Sequence, residues 1–301
     1  MAFRRLMLLG VLVAVALGIM TPLASASSFS SVIVYGDSLS DNGNLFNLIG
    51  YPPAPYFDGR FSNGPVAVEQ VAAALGVPLI DFAVGGATTG MGNFIDGGTQ
   101  TTPGSAGLPG MMQELALSAP LLTPATTSSA LFVVWGGAND FFSGGSPVTA
   151  ATNLDSIIAT LEGAGAQHIL VPGMPDLGLT PEFYGNAAAT AYSEEFNSLL
   201  LASLPSNVTY ADTFNLLRAV NSDPSAYGFS DVTDACFNGV TVCANPGQFF
   251  FWDDVHPTTA ADALVAKQFE ASLVQTPEPA PILLIGTGLS ALALIVRRRA
   301  A

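Results

Sequence analysis

Five short apolar, β-rich runs, separated by stretches of helical character, restrict this chain more than any other feature. The runs are Ser31–Tyr35 (SVIVY), Leu79–Val84, Leu131–Trp135 (LFVVW), His168–Val171 (HILV) and Val208–Ala211. Helices are expected at Val66–Leu75, closed by Gly76, and at Ala150–Leu161, Ala187–Leu204 and Thr258–Leu273. Strands alternating with helices in this way form a parallel sheet covered by helices on both faces. Near-continuous apolar strands agree with burial on both sides. The expected fold class is therefore α/β, a three-layer α/β/α sandwich around a five-stranded parallel sheet.

Composition narrows the function. Half of the 301 residues are hydrophobic and 10% are charged, which excludes a disordered chain. Residues 27–276 hold 22 acidic and 3 basic side chains (Arg60, Arg218 and Lys267), a balance of −19. A body this acidic argues against sequence-independent nucleic-acid binding and against docking on anionic lipid. Its length suits one core and one domain.

Both ends read as addresses. Arg4 and Arg5, an apolar stretch from Leu6 to Met20 and Ala24-Ser25-Ala26 make residues 1–26 a secretory signal peptide. The simpler alternative, an uncleaved anchor, is weakened because the stretch is shorter than the ~20 residues of a span. At the other end, Pro277-Glu278-Pro279, an apolar run from Pro281 to Val296 and Arg297–Arg299 follow in order. As a helix that run is about 24 Å long, and the arginines would stay cytoplasmic with the body outside. This tail, residues 277–301, resembles the PEP-CTERM sorting signal of Gram-negative bacteria. The resemblance implies an exosortase-type processing partner, a transient inner-membrane anchor, and delivery to the periplasm, outer envelope or extracellular matrix. A plain C-terminal anchor is the alternative. The only cysteines, Cys236 and Cys243, read as one disulfide in an exported chain; two cysteines do not complete a zinc site.

In open parallel sheets, ligands bind beyond the carboxyl ends of the strands. The first run here leads into Gly36-Asp37-Ser38, the second into Gly85-Gly86, and the third into Gly136-Gly137-Ala138-Asn139-Asp140. Asp253-Asp254-Val255-His256-Pro257 stands just ahead of the last helix. A short turn can fold Asp253 onto the His256 imidazole, and a carboxylate-oriented base set against a serine is a general hydrolase arrangement. Each signal has a blander reading: Ser38 as a turn or cap, Gly85-Gly86 as a tight turn, Asn139 as a helix cap, and Asp253 with His256 as a cap plus a surface histidine. Their order is what adds weight. His168, at the start of a strand, reads as structural.

In that order the chain resembles the GDSL, or SGNH, hydrolases. Gly36-Asp37-Ser38-Leu39-Ser40-Asp41 matches the first block of that family. Phe82-Ala83-Val84-Gly85-Gly86-Ala87 is similar to the second, Gly137-Ala138-Asn139-Asp140 to the third, and Asp253–His256 to the fifth. Gly59-Arg60-Phe61-Ser62-Asn63-Gly64 and the stretch VPGMPDLGLTP at 171–181 are similar to segments of the larger members. The resemblance implies a flavodoxin-like strand order. It implies Ser38 as nucleophile, His256 as base and then acid, and Asp253 as the orienting carboxylate. The oxyanion donors would be the N–H groups of Ser38 and Gly86 and the amide of Asn139, with Gly86 chosen over Gly85 by its place before Ala87. The substrate it implies is a carboxylic ester of a lipid, a short-chain acid or an acetylated polysaccharide. No cofactor or metal is called for. The body has no Gly-x-Ser-x-Gly elbow, which disfavours the α/β-hydrolase variant.

Two other classes stay open at this point. A metal-dependent hydrolase would use the acids with His256 and would be sensitive to chelators. A non-catalytic matrix or adhesion protein could be built on a hydrolase scaffold, although such a role needs none of Ser38, Asp253 and His256. The aromatics Phe141, Phe142, Phe249, Phe250, Phe251 and Trp252 read first as core and second as a substrate pocket. The proline-rich segment 51–59 and the glycine-rich segment 97–110 read as surface loops.

Overall fold

The computed structural model describes residues 29–274. The signal peptide expected at 1–26 and the sorting tail expected at 277–301 lie outside the described residues. Among the described residues no helix is long and apolar enough to cross a membrane.

The strands are β1 (Val32–Gly36), β2 (Leu79–Asp81), β3 (Leu131–Trp135), β4 (His168–Pro172) and β5 (Thr209–Ala211), with β6 (Asp231–Ala235) and β7 (Phe249–Phe251) later in the chain. The α-helices are α1 (Asn44–Ile49), α2 (Ala67–Leu75), α3 (Met111–Ser118), α4 (Pro124–Thr127), α5 (Ala138–Phe142), α6 (Pro147–Gly163), α7 (Ala187–Ser203), α8 (Thr213–Ser222) and α9 (Thr259–Val274). The first five strands form one parallel sheet in the order β2-β1-β3-β4-β5. That is the expected flavodoxin-like order, and its switch point falls between β1 and β3. In register, Val32 faces Leu79 on one side and Leu131 on the other.

Alternation along each strand divides the core. Ile33, Tyr35, Phe132 and Val134 point to one face, packing with Leu154 and Ile157 of α6 and Phe196 of α7. Val32, Val34, Val133 and Trp135 point to the other, against Val68 and Val71 of α2 and Val265 and Phe269 of α9. All of these strand residues are buried. Burial of each large apolar side chain contributes about 1.5–3 kcal/mol, and both helical layers are required for it.

The structure departs from the sequence expectations mainly in short elements. β2 ends at Asp81 instead of Val84, although Phe82 still donates to the Val34 carbonyl (3.0 Å) and Val84 to the Gly36 carbonyl (3.4 Å); the Ala83 N–H turns to Asp81 Oδ1 (2.9 Å), and the Val84 N–H is shared with Glu114 Oε1 (3.2 Å). Helices α1, α3 and α5, and the parallel pair β6–β7, lie in segments without a clear hydrophobic period, whereas the unexpected α8 does carry one, with Thr213, Leu217 and Val220 buried on one face. Gly76 closes α2 in the left-handed conformation, as its position implies. His168 begins β4 at the opposite end of the sheet from the glycine loops, its ring edge-on to Phe29.

Cys236 and Cys243 are joined in a disulfide between β6 and β7. The loop it closes positions Phe237, which stacks on Trp252 with ring centres 5.7 Å apart. Replacing both cysteines by alanine is expected to lower unfolding stability by roughly 2–3 kcal/mol, from the loop-closure entropy returned to the unfolded chain. Urea unfolding of the oxidised parent and the double variant reads this; equal midpoints would contradict it.

Candidate active site

The carboxyl ends of β1, β2 and β3 lie side by side, so the three glycine-containing segments share one edge of the sheet. After β1 the chain folds back tightly. The Asp37 carbonyl accepts from the N–H groups of Ser40 (3.0 Å) and Asp41 (2.9 Å), which sets Ser38 at the head of the turn. Ser38 Oγ lies 2.8 Å from His256 Nε2, across 218 residues of sequence.

His256 is held from several directions. Asp253 Oδ1 accepts from the N–H groups of Val255 (2.9 Å) and His256 (2.7 Å), and Asp253 Oδ2 lies 2.8 Å from His256 Nδ1. The loop is closed by the Trp252 N–H donating to the His256 carbonyl (2.7 Å). The GRFSNG segment clasps the residues that follow. Ser62 Oγ donates to the Pro257 carbonyl (2.9 Å), and Asn63 Oδ1 accepts from the Thr259 N–H (2.9 Å). Phe61 lays its ring 4.8 Å from the imidazole centre. Burial alone would raise the Asp253 carboxyl, but His256 beside it and the two backbone N–H groups hold it below the ordinary carboxylate range. An ionised Asp253 keeps the proton on Nδ1 and leaves Nε2 free to accept from Ser38. The His256 and Asp253 side chains are each 14% exposed, so the pair is reachable from the cleft yet largely shielded.

One partner was not foreseen. Tyr56, in the proline-rich segment read as a surface loop, donates its hydroxyl to Asp253 Oδ2 at 2.7 Å. Burial and the Asp253 charge raise its pKa, so it remains a donor. Its ring packs edge-on against Phe237 and Trp252. The contact spans 197 residues, and nothing local in the sequence points to it.

Across from the imidazole, the backbone N–H groups of Ser38 and Gly86 meet no acceptor among the described residues. The Gly85 N–H, in contrast, is engaged by Asp41 Oδ2 at 2.7 Å. Gly86 adopts φ 82°, and a Cβ there would lie 2.4 Å from Asn93 Oδ1, so only glycine fits. Asn139, near the start of α5, lines the same cleft. Its amide nitrogen already donates to Asp37 Oδ2 (3.2 Å) and to the Ala87 carbonyl (3.1 Å). Asp254, beside the orienting acid, instead offers its carbonyl to the Glu182 N–H (2.9 Å).

Buried carboxylates tie these segments together. Asp41 accepts from Gly43, Leu45 and Gly85. Glu114 of α3 accepts from Gly36 (2.9 Å) and Val84, joining the ends of β1 and β2. Asp140 accepts from the N–H (2.9 Å) and hydroxyl (2.7 Å) of Thr89. Burial raises Asp37 to about 7 and Asp140 to about 6, against the lowering effect of their hydrogen bonds. It drives Asp81, Glu114 and Asp262 well above the ordinary range.

A serine, an imidazole and a carboxylate in hydrogen-bonded series, at the switch point of a five-stranded parallel sheet, define an arrangement of the serine-hydrolase kind. Comparison with known proteins agrees. Residues 32–269 match the model of the GDSL-like lipase/acylhydrolase family, and the chain belongs to that family of carboxylic ester hydrolases. It is 30% identical over 276 residues to the thermolabile hemolysin of Vibrio parahaemolyticus, a match covering 81% of this chain and 64% of the hemolysin. The chain thus spans just under two thirds of that relative's length. It is 29% identical over 232 residues to the phosphatidylcholine-sterol acyltransferase of Aeromonas hydrophila, covering 71% of this chain and 68% of the acyltransferase. A solved lipolytic protein of the G-D-S-L family from Veillonella parvula shares the fold, with a TM-score of 0.51, 15% identity, and coverage of 82% of this chain and 99% of that one.

Two expectations follow. Carboxyls with raised folded-state pKa values contribute stability that is complete below about pH 4. It is lost as pH rises through the Asp140 and Asp37 values of about 6 and about 7. Asp253, held low, acts in the opposite sense and loses its contribution only on acidification. The thermal midpoint is therefore expected to fall from about pH 4 to about pH 7, and a rising midpoint over that range would contradict the assignment. Tyr56→Phe should lower ester turnover about three- to tenfold. It should also move the acid limb of the kcat/KM profile to higher pH, because an Asp253 with one donor fewer favours the imidazolium. A purely structural tyrosine would leave the limb in place.

Proposed function

We propose that this chain is an exported serine hydrolase of carboxylic esters, with Ser38, His256 and Asp253 as its catalytic triad. The observation that carries the reading is the unbroken series Ser38–His256–Asp253, which opens on a cleft where two backbone N–H groups have no acceptor among the described residues.

Ser38 Oγ attacks the ester carbonyl as His256 Nε2 takes its proton, and the imidazolium is stabilised by Asp253. The tetrahedral oxyanion accepts from the N–H groups of Ser38 and Gly86. The Asn139 amide joins them by giving up its longer bond, the one to Asp37. Asp37 is then the residue that orients this amide before reaction. Collapse of the intermediate breaks the bond to the alkoxy oxygen, which receives the proton from His256 and leaves as the alcohol. Water, deprotonated by His256, attacks the acyl-serine, and the carboxylic acid departs with Ser38 reprotonated.

The name of one bacterial relative, a phosphatidylcholine-sterol acyltransferase, favours an acyl lipid over acetylated polysaccharide. Residues 27–276 are the hydrolase domain in this reading. Residues 1–26 direct export, and residues 277–301 form a PEP-CTERM-like tail for an exosortase in a Gram-negative envelope. The disulfide supports an oxidising compartment.

Hydrolysis of p-nitrophenyl butyrate by the full chain is expected to fall at least about 10⁴-fold in Ser38→Ala and about 10²–10³-fold in Asn139→Ala, and to be indifferent to chelators. A Ser38→Ala protein that matches the parent, or a parent silenced by chelator, would overturn the assignment.

A further inference from the structure

Two recesses meet at Ser38. One is the open cleft, rimmed by Tyr51, Phe94, Ile95 and Phe183 with Glu182 among them. The other runs inward past Ser38, Asn139 and His256. It passes between the end of β3, the segment 175–180, α8 and β7, and its walls include Trp135, Leu177, Thr180, Thr213, Leu217 and Phe250.

We propose that the inward slot is the acyl subsite, that it takes an unbranched hydrocarbon chain of about two to three carbons beyond the carbonyl, and that the leaving alcohol occupies the outer cleft. This rests on the serine-esterase reading above and adds the class of acid to it. Three observations carry it.

The wall offers no free polar partner. The Trp135 indole N–H donates to the Gly173 carbonyl (3.1 Å), the Thr213 hydroxyl donates to the same carbonyl, and the Thr180 hydroxyl donates to the Leu177 carbonyl (2.8 Å). A sugar or headgroup entering here would give up hydrogen bonds to water and find none in return, whereas a methylene chain has none to lose. The unengaged polar groups stand at the mouth, where an ester carbonyl belongs.

The size is limited. The cavity measures about 60 Å³, room for about two to three carbon-sized groups at roughly 25–30 Å³ each. A longer chain would have to displace the wall.

That wall is packed. The slot lies where the three large apolar clusters meet, with Leu177 from one, Trp135 and Val265 from the second, and Leu217, Phe250 and Phe251 from the third. These side chains are at most 6% exposed, so the slot's length is fixed by core packing rather than by a mobile loop. The outer cleft is different in kind. Tyr51 and Phe94 on its rim are each 44% exposed, which suits an alcohol that remains partly in solvent.

The test is the chain-length profile of the full chain on p-nitrophenyl acetate, butyrate, hexanoate, octanoate and palmitate, repeated in Leu217→Phe and Leu217→Ala. The parent's kcat/KM is expected to rise roughly fourfold per methylene up to about butyrate and to fall by octanoate. Leu217→Phe should lower the butyrate-to-acetate ratio at least tenfold. Leu217→Ala should move the optimum about two carbons longer, which keeps the inference testable should the bulkier variant fail to fold. A profile that is flat, that declines from acetate, or that climbs through to octanoate overturns the inference, as do ratios unchanged in folded variants. Ser38→Ala measured beside them separates the failures. If it still cleaves the esters, the serine-esterase reading fails; if it is inactive while the profiles ignore Leu217, only the acyl slot fails.

Discussion

Backbone N–H groups buried in strand-end loops need acceptors, and those that the turns' own carbonyls leave unmet must find them elsewhere. Here the acceptors are carboxylates. Asp41, Glu114 and Asp140 reach across the loops that follow β1, β2 and β3 and bind them edge to edge. Their pattern decides which groups stay open. With Gly85 engaged by Asp41, the neighbouring Gly86 is fixed with its own N–H unengaged among the described residues, beside Ser38 and Asn139 in one cleft. The arrangement is electrostatically expensive. Placing several acids out of water around one sheet edge raises their pKa values, and it ties the stability of the fold to an acidic range. Activity calls for the opposite, a neutral imidazole and an ionised Asp253. Stability and turnover therefore pull pH in different directions.

The two sides of the site are built differently. The acid–base side hangs on a single loop, 252–257, pinned by the GRFSNG segment below and by Tyr56 beside it. Tyr56 belongs to an aromatic group with Phe237 and Trp252, and Phe237 is held near the disulfide. The oxyanion side is anchored in the sheet. A hydrophobic slot behind the nucleophile and a half-solvated cleft in front of it then give an ester a direction, hydrocarbon inward and alcohol outward.

Much of this was legible in the sequence. Apolar runs buried on both faces locate β1, β3 and β4 to within a residue, since there burial and β-propensity agree. The Asp-x-x-His turn is local, so a three-residue spacing announces it. What escaped depends on distance or on context. Tyr56 meets Asp253 across 197 residues, and Glu114 meets Gly36 across 78, with no short-range pattern to betray either. The commitment of the Asn139 amide to Asp37 and Ala87 is a matter of side-chain direction, which spacing does not encode. The short helix α1 starts where Asp41, three residues ahead of it, receives its first N–H groups, a local contact that leaves no apolar period to read. Phe250 and Phe251, read first as core, are core and slot wall at once.

The central claim is that one serine, made nucleophilic by this particular histidine, does the chemistry. Covalent labelling tests it without reference to any natural substrate. The full chain would be treated with an alkyl fluorophosphonate and mapped by peptide mass spectrometry, beside His256→Ala. The account predicts a single adduct, on Ser38, formed at least a hundredfold more slowly when His256 is absent. An adduct on another serine, or a Ser38 labelled equally fast without His256, would contradict it.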